Sequence, residues 1–296
     1  MKQRTAVISV VSNSGLILLK VVAGTLTGSV AILTEAVHSS IDLVASLVAF
    51  LSVRIADEPA DESHRYGHEK VENLAAAFEA ILILVGSAAI AFEAVRRLIT
   101  GGRTHTLGIG IGVIAFSAVA NLIVSTVIAR GGRRTNSPAL EGDAAHLRTD
   151  AVSSLGVLVA LVLVQVTGEQ WIDPVAALMV AAAIVLTGVR LLVRSGEALV
   201  DQALPPEETE AITAAIEGFD DAAIIGFHEL RTRRGGSQRY IDVHLQFRRG
   251  TSLEQAHRAA HELQDRIATA LGGADVLIHL EPEDRLRPGQ HALHVE

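Results

Sequence analysis

A chain of 296 residues that is 49% hydrophobic, only 20% charged and of mean hydropathy +0.38 is too apolar for an ordinary soluble protein. Its net charge of −8 argues against a nucleic-acid partner, and the lack of any Cys excludes a disulfide framework and a thiolate metal centre. Any metal must be held by His, Asp, Glu or backbone oxygen, which disfavours Cu(I).

The polarity is uneven. Residues 1–200 are almost neutral, net −1, whereas residues 201–296 carry net −7. The first part holds six apolar segments, each near the ~20 residues needed to cross a bilayer. They fall at about 5–27, 30–53, 74–98, 106–129, 139–166 and 173–194. The first follows Lys2 and Arg4 like a signal peptide, but it is long, contains Lys20 and lacks an A-x-A site, so it reads as a membrane span.

Span two contains His38 and Asp42, four residues apart and therefore on one face of a helix. Span five repeats the pair as His146 and Asp150. Two helices that each offer an imidazole and a carboxylate supply four N/O ligands, the tetrahedral set that Zn²⁺ prefers. Two neutral His and two carboxylates also offset one divalent cation where net charge is expensive. The competing reading is four unrelated polar residues at helix contacts. A repeated pair inside two apolar spans weighs against it, because an unpaired carboxylate there costs several kcal/mol. Glu35, Glu79, Asp143 and Lys20 lie in the same set of spans and suit an access path, a proton relay or internal ion pairs equally. Small residues such as Gly24, Gly28, Gly86 and Gly108 allow close helix approach.

Between spans two and three, DESHRYGHEKVE places Asp61, His64 and His68 at spacings suited to one metal at a loop–helix junction. A solvated charged loop is the alternative. Basic residues at 2, 4, 54, 65, 70, 130, 133 and 134 fall on one side of the bundle, against Arg96, Arg97 and Arg103 on the other. The count places both termini in the cytoplasm.

After Asp201 the composition changes. Pro205 and Pro206 lead into Glu207, Glu208 and Glu210, a helix start with acidic residues in its first turn. The expected elements are helix 206–217, strand 223–231, strand 238–247, helix 252–271 and strand 275–281, with Gly235–Gly236 as the hairpin connection. In the second strand Ile241, Val243, Leu245 and Phe247 alternate with polar residues, as in a half-buried strand. Residues 285–296 read as a loose tail. Seven of the twelve His lie in this part. His228 and His244 fall on the hairpin strands, His257 and His261 stand one turn apart, and His279 and Glu281 share a strand face. They suit either a second metal centre built from three elements or exposed polar positions. HRAAHE at 257–262 is not H-E-x-x-H and has no catalytic Glu between its His residues.

The order of six spans, HxxxD in span two, D-x-x-H-x-x-x-H after it, S-P-A-L-x-x-D-x-x-H-x-x-x-D in span five and an acidic αββαβ domain resembles the cation diffusion facilitators. The resemblance covers about residues 5–282. It implies a homodimer in a bacterial inner membrane that exports divalent cations in exchange for protons, not an enzyme. The implied fold is an all-α six-helix transmembrane bundle (1–200), a small cytoplasmic copper-chaperone-like α/β domain (201–284) and a flexible tail (285–296). The resemblance implies transport at His38, Asp42, His146 and Asp150, a loop site at Asp61, His64 and His68, and a binuclear site lined by His228, His244, His257, His279 and Glu281. Relatives often have Asp where this chain has Glu281, and some offer a polar ligand where it has Leu280. Lys70 and Asp201 resemble an ion pair that interlocks the membrane halves of the dimer. His in both arms resembles the zinc-transporting type, and imidazole favours Zn²⁺ over Mn²⁺. Fe²⁺, Co²⁺ and Ni²⁺ satisfy the same ligand rule, and Cd²⁺ or Mn²⁺ goes with sites richer in Asp. A membrane-anchored metal sensor would bind without flux. An intramembrane metallohydrolase would need an open ligand position.

Overall fold

The computed structural model describes residues 1–27, 30–100, 109–169, 171–283 and 291–293. Gly28, Arg103, Gly108 and residues 284–290 lie outside it, as do the side chains of Glu35 and His38. The chain divides into two compact units, Met1–Gly196 and Glu197–Glu296.

The first unit is six helices: α1 (Lys2–Thr27), α2 (Val30–Ala56), α3 (Lys70–Thr100), α4 (Ile109–Thr135), α5 (Pro138–Thr167) and α6 (Ile172–Leu199). The shortest, at 26 residues, is about 39 Å long at ~1.5 Å per residue. That exceeds the ~30 Å hydrocarbon thickness, so polar residues at the helix ends reach the headgroup region. This is why α1 and α3 run past the apolar segments that announce them. Five stretches of described helix are long and apolar enough to cross a membrane, in α1, α3, α4, α5 and α6.

The connection between α4 and α5 is shorter than expected. The segment 130–138, between the expected spans 106–129 and 139–166, reads as a loop, but α4 continues to Thr135 and the turn is Asn136–Ser137, with Asn136 at φ 48°. Helix contacts override glycine's low propensity. A Cβ at Gly131 would lie 2.6 Å from the Thr5 side chain, and one at Gly132 would lie 3.2 Å from Leu140 and Glu141. The glycines let α1 and α5 pass close to α4. Ser137 then caps α5 by accepting from the Leu140 N–H, with Pro138 in the first turn. Gly168, at φ 79°, ends α5 in the left-handed conformation. Ala6, Val53, Ala75, Ile128, Leu140 and Leu147 join α1 to α5 in one apolar core.

The second unit runs α7 (Pro206–Glu217), β1 (Ile224–Gly235), β2 (Gln238–Phe247), α8 (Leu253–Ala270), β3 (Asp275–Pro282) and β4 (His291–Ala292). The sheet order is β3-β2-β1-β4, with β1 antiparallel to β2 and to β4, and β2 parallel to β3. Ile241, Val243, Leu245 and Phe247 pack with Ile212 and Ile216 of α7 and Leu263 and Ile267 of α8. The alternate residues of β2, His244 among them, therefore point to the other face. A capping box, Ser252 with Gln255, starts α8.

Two sequence expectations need correction here. First, β1 does not stop at Arg231: Arg233, Arg234 and Gly235 continue the ladder, and the turn is Gly236–Ser237. Glu208 of α7 accepts from Arg234 (2.6 Å) and Arg239 (2.7 Å), which holds this charged end of the hairpin in strand form. Second, His291–Ala292 in the expected loose tail form a strand beside Gly226–Phe227, where His291 stacks on the Phe227 ring at 4.8 Å.

Candidate metal centres

Asp42 of α2 and His146 and Asp150 of α5 come together in the first unit. Asp42 and His146 are buried, at 5% and 6% exposure. His146 Nε2 lies 3.3 Å from Asp42 Oδ1 and 3.7 Å from Asp150 Oδ2. Ligands around a tetrahedral Zn²⁺ with ~2.0 Å bonds stand about 3.3 Å apart, so the His146–Asp42 edge has that spacing and the His146–Asp150 edge is close to it. The i, i+4 step on α5 fixes the His146–Asp150 edge, and the α2–α5 pairing supplies the edge to Asp42. His38 lies on α2 one turn before Asp42 in sequence, and its side chain is outside the described part. The same atoms can hold a proton, as the hydrogen bond between His146 and Asp42, or a metal.

Around this group α1 and α2 add Ser9, Asn13 and Ser46, all buried. The Ser9 and Ser46 hydroxyls each donate to Asp143 Oδ1 at 3.0 Å, and Asn13 Nδ2 donates to Ser46 Oγ at 2.7 Å. Lys20 donates to Ser39 at 2.6 Å. At another point of the bundle Glu72, fully buried, accepts from Lys2 at 2.7 Å and from the Ser137 hydroxyl. None of these serines stood out in the sequence, since lone Ser residues in apolar helices have no distinctive spacing.

The loop between α2 and α3 gathers Asp61, His64 and His68. Asp61 Oδ2 is 3.4 Å from His68 Nε2, Oδ1 is 3.5 Å from His64 Nδ1, and the two rings are 4.5 Å apart. The loop folds around Asp61 Oδ1, which accepts from the backbone N–H of His64 at 2.6 Å and from the Ser63 backbone and hydroxyl at 2.8 Å. These bonds, the His64 N–H first, hold the carboxyl down at about 2 from an ordinary 3.8.

In the second unit the sheet register aligns three His. His228 is paired with His244 across β1 and β2, and His244 with His279 across β2 and β3. Their rings stand 5.0 and 4.6 Å apart. Glu281, buried on β3, spans all three. Oε2 is 2.9 Å from His228 Nε2, while Oε1 is 3.1 Å from His244 Nδ1 and 3.7 Å from His279 Nε2. Imidazole nitrogens and a carboxylate gathered at this spacing are N/O donors of the kind zinc takes, so the residues fit zinc. His257 is not in this cluster. It is exposed on α8, its ring 4.4 Å from that of His261.

Glu229 is a neighbour that strand alternation hides. It should face away from His228, but β1 bulges between His228 and Arg231 with Glu229 at φ 49°, and its carboxylate comes within 3.6 Å of His244 Nε2. Asp201 accepts from Arg233 of its own unit at 3.4 Å.

Known proteins resemble the chain along nearly its whole length. Residues 6–200 match the cation efflux transmembrane domain, and residues 204–283 match the cytoplasmic domain of cation efflux proteins. The uncharacterized transporter sll1263 of Synechocystis is 35% identical over 97% of this chain and 92% of its own. The cation-efflux pump FieF of Citrobacter koseri is 34% identical over 94% of this chain and 92% of its own. A solved structure of CzrB in its zinc form is 38% identical over 29% of this chain and 98% of that one, with a TM-score of 0.28.

Proposed function

The chain belongs to the cation efflux, or cation diffusion facilitator, family, and from that premise we propose that it is a Zn²⁺/H⁺ antiporter working by alternating access. The family is one of transporters rather than enzymes, so the protein is an integral membrane protein that moves divalent metal cations. What supports the finer reading is the spacing of Asp42, His146 and Asp150 in a buried position between two spans. His38 completes the set by sequence.

Open to the cytoplasm, the four ligands take Zn²⁺ and shed protons to do so. Open outward, protonation of His146, already hydrogen-bonded to Asp42, competes with the metal for the same lone pair and expels it. Tetrahedral N/O coordination favours Zn²⁺ over the harder Mn²⁺. We place the protein in a bacterial inner membrane with both termini cytoplasmic. His228, His244, His279 and Glu281 would hold zinc as a resident, regulatory ion. His257 would join them only through rearrangement or from the second copy of a homodimer. Zinc there would couple cytosolic metal level to transport.

Asp150→Ala tests the site. In everted membrane vesicles the variant should accumulate far less radioactive zinc than the parent at equal protein. Undiminished accumulation would remove the site assignment. Zinc binding with no accumulation by the parent would indicate a sensor instead.

A further inference from the structure

Glu79 of α3 has no place in the metal site. It is fully buried, and neither of its carboxylate oxygens has a hydrogen-bond partner. Its carboxyl lies against α5 at Gly142: a Cβ on that glycine would collide with Glu79 Oε2 and would also stand 3.2 Å from Ala76 Cα. A glycine at this crossing leaves room for the carboxyl. The next residue of α5 is Asp143, also fully buried, and the two carboxyl groups interact electrostatically.

Asp143 is satisfied on one side only. Oδ1 accepts from Ser9 and Ser46, while Oδ2 is buried without a partner. Three carboxyl oxygens on two packed helices thus lack a donor, a costly arrangement in a membrane unless a cation shares it. Among the described residues the charged group acting on Glu79 is Asp143 of α5, whereas Ser9 and Ser46, which α1 and α2 send to Asp143, and Asn13 behind Ser46 are neutral. Of the α1 lysines, Lys2 bonds Glu72 and the buried Lys20 bonds Ser39, and Arg148 of α5 is exposed. His146, three residues along α5, also acts on Asp143, but its Nε2 faces Asp42 and Asp150.

Zn²⁺ takes about four ligands at ~2 Å. The serines here are committed to Oδ1, and His146, the imidazole that acts on Asp143, bonds Asp42 through Nε2 instead. A proton needs one oxygen. We propose that Glu79 and Asp143 form a proton-carrying carboxyl pair, a second cation site that gives the counter-transported proton a place of its own beside the metal. The proposal rests on the antiport reading. In each cycle one carboxyl O–H bond forms on the side where the metal leaves, and it breaks on the side where the metal enters. No electron moves.

The full-length protein in proteoliposomes tests this, with zinc uptake measured in two modes. One is driven by a pH gradient, and the other is zinc–zinc exchange at equal pH. For Glu79→Gln, a neutral isostere, the ratio of pH-driven uptake to exchange should fall by about 5- to 150-fold, the range of a site-to-site coupling. Asp143→Asn should shift the ratio the same way, and it serves if the first variant does not insert. A parallel loss in both modes would mean a structural role and overturn the proposal. So would an unchanged ratio in variants of a coupled parent, which leaves antiport standing. A parent with no pH-driven uptake would overturn both.

Discussion

At the residue scale, the loop carboxylate shows how local hydrogen bonds prepare a ligand. Asp61 is solvent-exposed, yet donors from His64 and Ser63 hold it near pKa 2. The folded value lies below the ordinary 3.8, so its stabilising contribution to the turn is complete above 3.8 and disappears as pH falls toward about 2. Carbon-13 NMR should therefore place the Asp61 midpoint near 2, and a midpoint at 3.8 would show that the turn does not persist in solution. Glu281 holds a different position, buried and shared by three imidazoles. Glu281→Ala should lower zinc affinity of the soluble domain by more than the about 10–100-fold typical for loss of an outer partner. Calorimetry on the full chain with the transport site disabled by Asp150→Ala measures this, and unchanged affinity would exclude Glu281 as a ligand.

At the element scale, Ser137 ties helix geometry to a buried charge. It caps α5 and donates to the buried Glu72 of α3, which also receives Lys2 of α1. Ser137→Ala removes the cap, at about 1 kcal/mol, and leaves a carboxylate oxygen short of a donor, at about 1–3 kcal/mol. Thermal unfolding in detergent should register that loss, and an unchanged midpoint would mean that water replaces the hydroxyl. The elements also show what could be read from sequence. His146 and Asp150 sit together because four residues on a helix make one turn, and that follows from spacing alone. The row His228, His244 and His279 depends on the register of three strands, two joined by a hairpin whose turn proved to be Gly236–Ser237, and spacing does not fix it. Glu229 reaches the cluster through a bulge that alternation contradicts. Gly131 and Gly132 lie in the segment expected as a loop and form a helical packing surface instead, because a contact with another helix leaves no mark in the local sequence.

At the scale of the whole molecule, a near-neutral bundle with a buried N/O ligand set and an acidic domain with a His row suit two uses of one metal. In the bundle the metal is cargo and must leave. In the domain, on the proposed reading, it would be resident and would favour the dimer, since anything that binds only the assembled state stabilises it. Chelation should therefore raise the dimer dissociation constant in analytical ultracentrifugation, and a metal-independent constant would separate zinc from assembly. The central claim is exchange of zinc for protons, and the most direct measurement is purified protein in liposomes loaded with a zinc dye and a pH dye, with and without an imposed pH gradient. Zinc entry matched by proton exit, scaling with the gradient, is the expected result. Tight zinc binding with no flux under any gradient would contradict it.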